Sequence, residues 1–279
     1  MKKSVIKIIK TDATLGEGLS YLPMRKNVIA FDIIKKKLFL FDPQKNWQCE
    51  TYDLPFMGSC ASELRDGRVL IAGNQSLYVT EKFEKFTEIV SHDVGNNMRT
   101  NDGREDPNGN FWYSLMDFQA RQNCGSIFCF NQEKMISREV FKSISIPNSI
   151  AFDEKIKCGY FSDSHEGVVY KFDYERPADG KSVFIDMSEK KRVPDGAVVD
   201  QAGRLWVAQW GNGCVEVFSR AGELIASVKL PVSQPTCPLI VNDEYVIVTS
   251  AKDGLSFWEK LKQPNAGHTF VLSKKNSII

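Results

Sequence analysis

The sequence has almost no excess of charge of either sign. Its 279 residues include 36 Lys and Arg against 35 Asp and Glu, which gives a formal net charge of +1. Proteins that bind nucleic acid or an anionic membrane usually present a large basic excess, so we expect neither partner. The 42% hydrophobic content, with only 19 Gly and 11 Pro, excludes a disordered or collagen-like chain.

Long apolar runs and paired cysteine motifs are also missing. No stretch approaches the length that crosses a membrane, and residues 1–10 alternate like a strand, unlike the apolar segment of a secretory signal. The seven cysteines are odd in number, and no pair has the spacing of a zinc knuckle or a redox motif. Several lie in apolar runs, where cysteine acts as a small buried hydrophobe. We therefore expect reduced thiols and a cytoplasmic location.

A repeated segment, in which a turn leads into an apolar strand, is the most informative feature that is present. Asp106, Asp153 and Asp200 each begin such a segment, and successive members lie 47 residues apart. Related segments begin near residues 22, 64 and 241, which makes six units of about 46 residues. This is the size of a four-stranded propeller blade. Further short strands between turn residues follow in each unit.

The repeats predict an all-β fold, a six-bladed β-propeller in which residues 1–279 form one domain. The first and last strands, residues 5–9 and 269–272, are expected to pair and close the ring. Residues 257–262, just before Pro264, are expected to form a helical turn or two. Two β-sandwiches could share the same turn residues, but a sandwich does not require an equal spacing of 47, so we prefer the propeller.

Four of the six repeats place a carboxylate or amide side chain at the start of the predicted innermost strand: Glu17, Asn101, Asn148 and Asp195. In a propeller these positions converge on one mouth of the central channel. Two carboxylates with one or two amides suit a hard divalent cation such as Ca²⁺, Mg²⁺ or Mn²⁺. The alternative is that segments such as Asp195-Gly196 are only turns, but recurrence at one position of the repeat favours a site.

Arg99 lies two residues before Asn101 and is expected at the same mouth. Its guanidinium could bind a substrate carboxylate or hydroxyl, or stabilise an oxyanion; a solvated loop arginine is the alternative. His165 is expected in a surface turn, and no Ser-His-Asp arrangement, phosphate loop or dinucleotide fingerprint is present. Trp206 and Trp210 are expected to pack between blades, with Trp210 also a candidate for the mouth.

At these residues the chain resembles the gluconolactonase, luciferin-regenerating enzyme and regucalcin (senescence marker protein) family. The matching motifs extend from about residue 12 to residue 273 in the family's order, and they lie at residues 15–21, 99–112, 147–152, 160–164, 194–208 and 234–238. The resemblance implies a six-bladed propeller with one divalent metal, Ca²⁺, Zn²⁺, Mn²⁺ or Mg²⁺, in the channel. It also implies that Glu17, Asn148 and Asp195 ligate this metal, that Arg99 and Asn101 contact substrate, and that Asp195 is the general base.

The chain departs from the family pattern within the repeat that begins at Asp106. The family usually has Gly-Thr-Met where this chain has Ser114-Leu115-Met116, and a substrate-binding carboxylate often follows that methionine. Here Asp117 could serve, or Gln119 could replace the carboxylate with an amide. These differences concern the choice of substrate more than the metal site.

The predicted function is metal-dependent hydrolysis of a sugar lactone, a small-molecule substrate. Two alternatives stay open: a non-enzymatic propeller that binds partners and is stabilised by the metal, and a promiscuous esterase or organophosphate hydrolase. Because the charge is balanced and no apolar surface patch is obvious, a monomer or weak dimer is expected.

Overall fold

Short apolar runs separated by turn residues form 24 strands in the computed structural model, which describes residues 4–278. The strands make six separate four-stranded antiparallel sheets. Five sheets are built from four strands that are consecutive in the chain, and the sixth combines both ends of the chain. This arrangement is a six-bladed β-propeller, as the repeat predicts.

The first three blades each run from the innermost to the outermost strand in chain order. Blade 1 contains β2 (Gly16–Leu22), β3 (Asn27–Asp32), β4 (Lys37–Asp42) and β5 (Gln48–Asp53). Blade 2 contains β6 (Gly58–Glu63), β7 (Val69–Gly73), β8 (Ser76–Thr80) and β9 (Thr87–Ser91). Blade 3 contains β10 (Met98–Glu105), β11 (Asn110–Asp117), β12 (Gly125–Asn131) and β13 (Ile136–Ile144).

Blades 4 and 5 repeat this order, and blade 6 closes the ring. Blade 4 contains β14 (Pro147–Asp153), β15 (Cys158–Asp163), β16 (Val168–Asp173) and β17 (Lys181–Asp186). Blade 5 contains β18 (Pro194–Val199), β19 (Leu205–Gln209), β20 (Cys214–Phe218) and β21 (Leu224–Lys229). Blade 6 contains β22 (Pro235–Val241), β23 (Tyr245–Ser250), β24 (Thr269–Ser273) and, from the start of the chain, β1 (Val5–Ile9).

The remaining regular elements are short helices. The α-helices are α1 (Phe257–Lys262) and α2 (Lys274–Ser277), and 3₁₀ turns span Pro43–Lys45, Glu154–Ile156, Pro177–Asp179 and Ser188–Lys190. The predicted helical turn at residues 257–262 is confirmed, and a capping box between Ser256 and Glu259 begins it. None of the helices in the described residues has both the length and the apolar character that a membrane span requires.

The two ends of the chain pair as predicted. β1 is antiparallel to β24, with Val5 opposite Leu272 and Ile9 opposite Thr269. The first three residues of the chain lie outside the described residues. Because this pairing joins the first strand to the last blade, the sheet of blade 6 stays complete and the ring is held closed by main-chain hydrogen bonds.

The hydrophobic core is divided among the six interfaces between neighbouring blades. One apolar cluster fills each interface, and each cluster combines side chains from the two facing sheets. Trp206 is fully buried between blades 5 and 6, which confirms its predicted packing. Every blade is therefore apolar on both faces, and the channel at the centre is the place where polar side chains collect.

In two of the repeated turns, an aspartate accepts a hydrogen bond from a tryptophan six residues later. The carboxylate of Asp106 accepts a hydrogen bond from the Trp112 indole at 2.8 Å, and Asp200 accepts one from the Trp206 indole at 3.1 Å. Each aspartate also accepts backbone N–H groups of its own turn. The recurring aspartate is thus a buried anchor of the blade, separate from the channel residues.

Of two further expectations from the sequence, the structure confirms one and contradicts the other. All seven cysteines lie in the described residues as free thiols, as predicted. The expectation of a surface without an apolar patch is wrong at α1, where Phe257, Trp258 and Leu261 are 68%, 70% and 58% exposed. Hydrophobic spacing alone does not reveal this, because a short amphipathic helix normally packs its apolar face inward.

Candidate metal and substrate site

A cavity of about 280 Å³ opens at one mouth of the central channel. The side chains that line it come from blades 1, 3, 4, 5 and 6. They include the predicted metal ligands and the two predicted substrate contacts of the first and third to fifth repeats: Glu17, Arg99, Asn101, Asn148 and Asp195. Trp210 also lines the cavity, which is one of the two positions predicted for it.

A β-bulge near the start of each innermost strand determines where these side chains point. The pairing register shifts between Glu17 and Ser20, Gly58 and Cys60, Thr100 and Gly103, Asn148 and Ala151, Pro194 and Ala197, and Pro235 and Pro238. A bulge leaves residues out of the ladder and redirects their side chains. Gly18, with φ of +65°, shows how tight the arrangement is, because a Cβ there would lie 1.8 Å from the Ser59 carbonyl oxygen.

Asn148 and Asp195 form the best-defined contact of the site. The Asn148 amide nitrogen donates to Asp195 Oδ1 at 2.8 Å and to Ser164 Oγ at 3.1 Å. Its donors are therefore occupied, and the amide oxygen faces the other way. That oxygen is buried and has no hydrogen-bond partner among the described residues. Leaving a buried acceptor unsatisfied is costly, so the structure points to a ligand for it.

Glu17 and Asp195 place two carboxylates in the same buried region. They are only 6% and 5% exposed. Burial raises the pKa of Glu17 well above its usual value, and the nearby charges of Asp195 and Asp102 add to that effect. Burial likewise raises the pKa of Asp195, with Asp102 as the next cause. Two neighbouring buried carboxylates repel each other, and a cation between them would relieve that repulsion.

The donor set at this mouth fits a divalent cation of the oxygen-binding class. It contains two carboxylates and one amide oxygen that no other described residue contacts by a hydrogen bond. Among residues 4–278, no group of three or more His, Cys, Asp or Glu side chains is arranged to hold a metal ion. The candidate set therefore depends on the amide oxygen of Asn148, and its hard oxygen donors favour Ca²⁺, Mg²⁺ or Mn²⁺.

Arg99 is a buried member of the site and is not a solvated loop residue. It is 8% exposed, and its Nη1 donates to Asn101 Oδ1 at 2.7 Å and to the Thr100 carbonyl at 3.0 Å. Asn101 in turn donates to the Pro147 carbonyl at 3.3 Å. Burial lowers the pKa of Arg99 to about 10, so it remains cationic at neutral pH. A fixed positive group thus faces the two carboxylates.

Blades 2 and 6 carry hydroxyl side chains at the equivalent position, and these serve the fold. Ser59 Oγ donates to Thr100 Oγ1 of the next blade at 2.9 Å. Thr236 Oγ1 donates to the Gly16 carbonyl of blade 1 and also contacts Thr249 Oγ1 at 2.8 Å. Their hydroxyls are used in hydrogen bonds within and between blades, which explains why the cavity has no ligands from these two positions.

The channel beyond the cavity holds a second layer of charge that the sequence did not reveal. Asp102 accepts hydrogen bonds from the Ile150 and Gly103 backbone N–H groups at 2.7 and 2.8 Å. The Arg104 guanidinium donates to three backbone carbonyls, those of Ile150 at 3.2 Å, Ala197 at 3.1 Å and Leu19 at 3.4 Å. These carbonyls lie in or beside the bulges of blades 4, 5 and 1, so Arg104 pairs groups that the bulges free.

Asp117 is not available as a substrate ligand. It is fully buried and outside the cavity lining, and its oxygens accept from the Gln119 backbone N–H at 2.8 Å and from Arg121 Nε at 2.8 Å. Gln119 does not line the cavity either. The residue that follows on this loop and does reach the cavity is Ala120. The sequence motif could not show this, because Asp117 forms a local ion pair with Arg121, four residues later.

Sequence reasoning missed several cavity residues. Ser164 lines the cavity, accepts from Asn148, and donates to the Pro194 carbonyl at 2.6 Å. Asp253 lines the cavity from the loop after β23. Ser164 adjoins His165, which is exposed in a surface turn as predicted. Neither Ser164 nor Asp253 occupies the repeated strand position, so the spacing argument had no means of finding them.

Comparison with known proteins shows which family and which relatives this chain is similar to. The family described as "SMP-30/Gluconolactonase/LRE-like region" matches residues 15–252. A protein of Rhizobium meliloti (strain 1021), provisionally named a sugar lactone lactonase, is 30% identical over 265 residues, which cover 92% of this chain and 89% of that protein. The L-arabinolactonase of Azospirillum brasilense is 28% identical over 280 residues, 96% of this chain and 91% of that enzyme.

Solved structures agree with the fold. A calcium-binding protein, regucalcin from Agrobacterium tumefaciens, has a TM-score of 0.89 and 29% identity, and the match covers 96% of this chain and 93% of that one. A luciferin-regenerating enzyme has a TM-score of 0.85 at 22% identity, with 95% and 94% covered, and supports the fold alone.

Proposed function

This chain belongs to the SMP-30/gluconolactonase/LRE-like family, and from that premise we propose that it is a divalent-metal-dependent lactonase acting on sugar lactones. The observation that carries the metal-dependent part is the buried amide oxygen of Asn148, which has no hydrogen-bond partner among the described residues and belongs to the same cavity as Glu17 and Asp195. The names of the relatives support the lactonase part, because two of them are named for the hydrolysis of sugar lactones.

The size and lining of the cavity support a small polar substrate. At about 280 Å³ it lies near the lower limit for ligand pockets, which suits a single sugar ring. Apolar side chains such as Met116 and Trp210 share the lining with the charged groups. Ring carbons can pack on the apolar residues while hydroxyl groups bind the polar ones, the usual division of such a pocket.

We assign the cation to Glu17, Asn148 and Asp195. These residues supply two charges and one neutral oxygen, and their fit rests on the unpartnered amide oxygen and on the repulsion between the buried carboxylates. When bound, a divalent cation supplies Lewis-acid polarisation of the lactone carbonyl. The similar regucalcin from Agrobacterium tumefaciens is described as a calcium-binding protein, which supports the proposal of a hard divalent cation here.

Asp195 is proposed as the general base of the reaction. Its Oδ1 is fixed by the Asn148 amide, which orients the carboxylate toward the cavity. In the proposed step a water oxygen bonds to the lactone carbonyl carbon and loses a proton to Asp195, which gives a tetrahedral oxyanion. The oxyanion then collapses, the bond from the acyl carbon to the ring oxygen breaks, and that oxygen takes the proton from Asp195. The product is an open-chain hydroxy acid.

Arg99 and Asn101 are proposed to hold the substrate in the attack geometry. Because Arg99 is rigidly hydrogen-bonded to Asn101, its remaining N–H groups are preorganised to donate to a carbonyl oxygen or ring hydroxyl. The positive charge also favours the developing oxyanion, and its burial strengthens that interaction.

Lactone hydrolysis by chelator-stripped protein, reloaded with one metal at a time, tests this function. Proton release on glucono- and arabinono-lactones should be lost on stripping and restored by one of Ca²⁺, Zn²⁺, Mn²⁺ or Mg²⁺. The Asp195→Ala variant should lose at least 100-fold in kcat, because it lacks the general base. A matched control is Asp93→Ala, an exposed residue outside the cavity, which should retain wild-type rates.

Two outcomes would contradict the proposal in different ways. Full activity of the chelator-stripped protein would show that hydrolysis does not depend on a metal. Tight metal binding without turnover on any lactone would favour the non-enzymatic propeller.

A further inference from the structure

Asp253 lies at the rim of the cavity on the side opposite Arg99. It follows β23 of blade 6, whereas Arg99 belongs to blade 3, and blades three apart in a six-membered ring face each other across the channel. Both residues line the same cavity. The cavity therefore has the Arg99 guanidinium on one wall and the Asp253 carboxylate on the other, and Glu17 and Asp195 line the same space from blades 1 and 5.

The backbone of Asp253 is held firmly in this position. Its N–H donates to the Thr14 carbonyl at 3.0 Å, and its carbonyl accepts from Gln234 Nε2 at 3.1 Å. Thr14 and Gln234 each lie close before an innermost strand, β2 and β22. The residue is therefore anchored within its own blade 6 and to the neighbouring blade 1, and its carboxylate can be placed reproducibly against a ligand.

The carboxylate itself is free to accept hydrogen bonds. Asp253 is exposed, and no side-chain hydrogen bond or salt bridge is formed by it among the described residues. Asp117 is the opposite case, because its oxygens are already taken by Arg121 and by backbone groups. Of the acidic side chains that line the cavity, Asp253 is thus the one not assigned to the cation or to the proton transfer.

We infer that Asp253 determines substrate specificity by accepting hydrogen bonds from hydroxyl groups of the sugar ring on the side away from Arg99. This inference rests on the proposed function of the same cavity. An ionised carboxylate forms strong hydrogen bonds to hydroxyl donors and repels anions. Polyhydroxylated neutral lactones are selected over lactones without hydroxyl groups, and lactones with a carboxylate or phosphate on that side are disfavoured.

Hydrolysis of two neutral lactones by the metal-loaded enzyme tests the role of Asp253. The pair is D-glucono-δ-lactone and δ-valerolactone, which has the same ring without hydroxyl groups. Asp253→Ala should lower kcat/KM for the sugar lactone about 10- to 100-fold, mainly through KM, because a charge-assisted hydrogen bond is lost. It should change the value for δ-valerolactone less than about 2-fold. Asp253→Asn should have a kcat/KM for the sugar lactone between those of the wild type and Asp253→Ala, because its amide oxygen still accepts hydrogen bonds.

The control variant is Asp93→Asn, an exposed acidic residue outside the cavity lining. It removes the same charge and should leave the ratio of the two kcat/KM values unchanged. If Asp253→Ala also leaves that ratio unchanged while the wild type hydrolyses both lactones, the specificity role is wrong and the lactonase function stands.

A binding measurement separates this inference from the failure of the lactonase proposal. If the wild type hydrolyses neither lactone, titration calorimetry with methyl β-D-xylopyranoside measures hydroxyl recognition without the ester. An affinity about 10-fold lower for Asp253→Ala supports recognition by this carboxylate. Equal affinities, or no binding to the wild type, would overturn it.

Discussion

The amide nitrogen of Asn148 donates a hydrogen bond of 2.8 Å to the carboxylate of Asp195, and the two residues are 47 positions apart in the chain. They occupy neighbouring blades, so one repeat of the propeller converts sequence distance into direct contact. The contact fixes which way the Asn148 amide points, and it leaves the amide oxygen buried beside two carboxylates. The hydrogen bond thereby leaves this oxygen available to the proposed cation.

Glu17→Gln should change cation affinity and stability in opposite directions. The variant keeps the shape of the side chain but removes one negative charge, so affinity for a divalent cation should fall at least 10-fold. Without cation the variant should be at least as stable as the wild type, because a buried charge beside Asp195 is removed. Calorimetric titration of the stripped protein with the cation measures the affinity, and urea unfolding of the stripped protein measures the stability. Unchanged affinity would remove Glu17 from the ligand set.

Arg99→Lys should lower kcat/KM by about 10- to 100-fold while the charge is kept. Lysine cannot reproduce the planar group that donates to Asn101 and to the Thr100 carbonyl while presenting further donors to the cavity. Steady-state kinetics on a sugar lactone checks this. Arg65→Lys, at an exposed arginine paired with Glu133, is the matched control and should have no effect. A wild-type rate for Arg99→Lys would restrict the role of Arg99 to its charge.

Arg104→Met should destabilise the fold by about 2–4 kcal/mol, because three backbone carbonyls lose their donor inside the channel. Methionine retains much of the side-chain volume, so the loss reflects hydrogen bonding more than packing. Urea unfolding measures the free energy of unfolding. Arg68→Met, at an exposed arginine whose side chain pairs with Asp66, should cost less than about 1 kcal/mol. Equal effects would show that the channel contacts of Arg104 contribute little.

Asp200→Asn should destabilise the protein by about 2 kcal/mol at neutral pH, and the difference should shrink in acid. Burial acts to raise the pKa of Asp200, but hydrogen bonds from the Arg204 backbone and from Trp206, together with Arg204 and Lys274, outweigh it and lower the pKa. A carboxyl with a lowered folded-state pKa stabilises the protein above its unfolded-state value, near 3.9, and loses this contribution as pH falls through the folded-state pKa.

The pH dependence of Asp200→Asn can be followed by thermal unfolding between pH 7 and pH 3. The difference between wild type and variant should be complete at pH 7 and should decline below about pH 4. Asp93→Asn, at an exposed carboxyl, should show no comparable difference at any pH. A difference that is constant across this range would mean that the charge of Asp200 is not the source of its effect.

The repeat made much of the architecture predictable. Three units spaced by 47 residues, together with related turn-and-strand segments elsewhere, led to six blades, and the alternation of residues 5–9 led to their pairing with the last blade. Periodicity transmits this information well because local interactions recur between blades, as the bonds from Trp112 to Asp106 and from Trp206 to Asp200 show. For the same reason it placed Glu17, Asn148 and Asp195 at one mouth of the channel.

Other features depended on contacts between residues that no motif relates. Asp117 follows the family pattern in sequence but is held by Arg121, so it is removed from the cavity. Asp253 lies on a loop outside the repeated position and reaches the cavity through its backbone bonds to Thr14 and Gln234.

The sequence by itself determined the blade count, the closure of the ring and the identities of five polar side chains at the channel mouth: Glu17, Arg99, Asn101, Asn148 and Asp195. Each of these follows from local patterns that recur at a fixed spacing. The tertiary structure decided which of the acidic side chains are free, which donors are occupied and where Arg104 lies. These properties depend on bulges and on hydrogen bonds between blades, and they arise only when residues distant in the chain are brought within bonding distance.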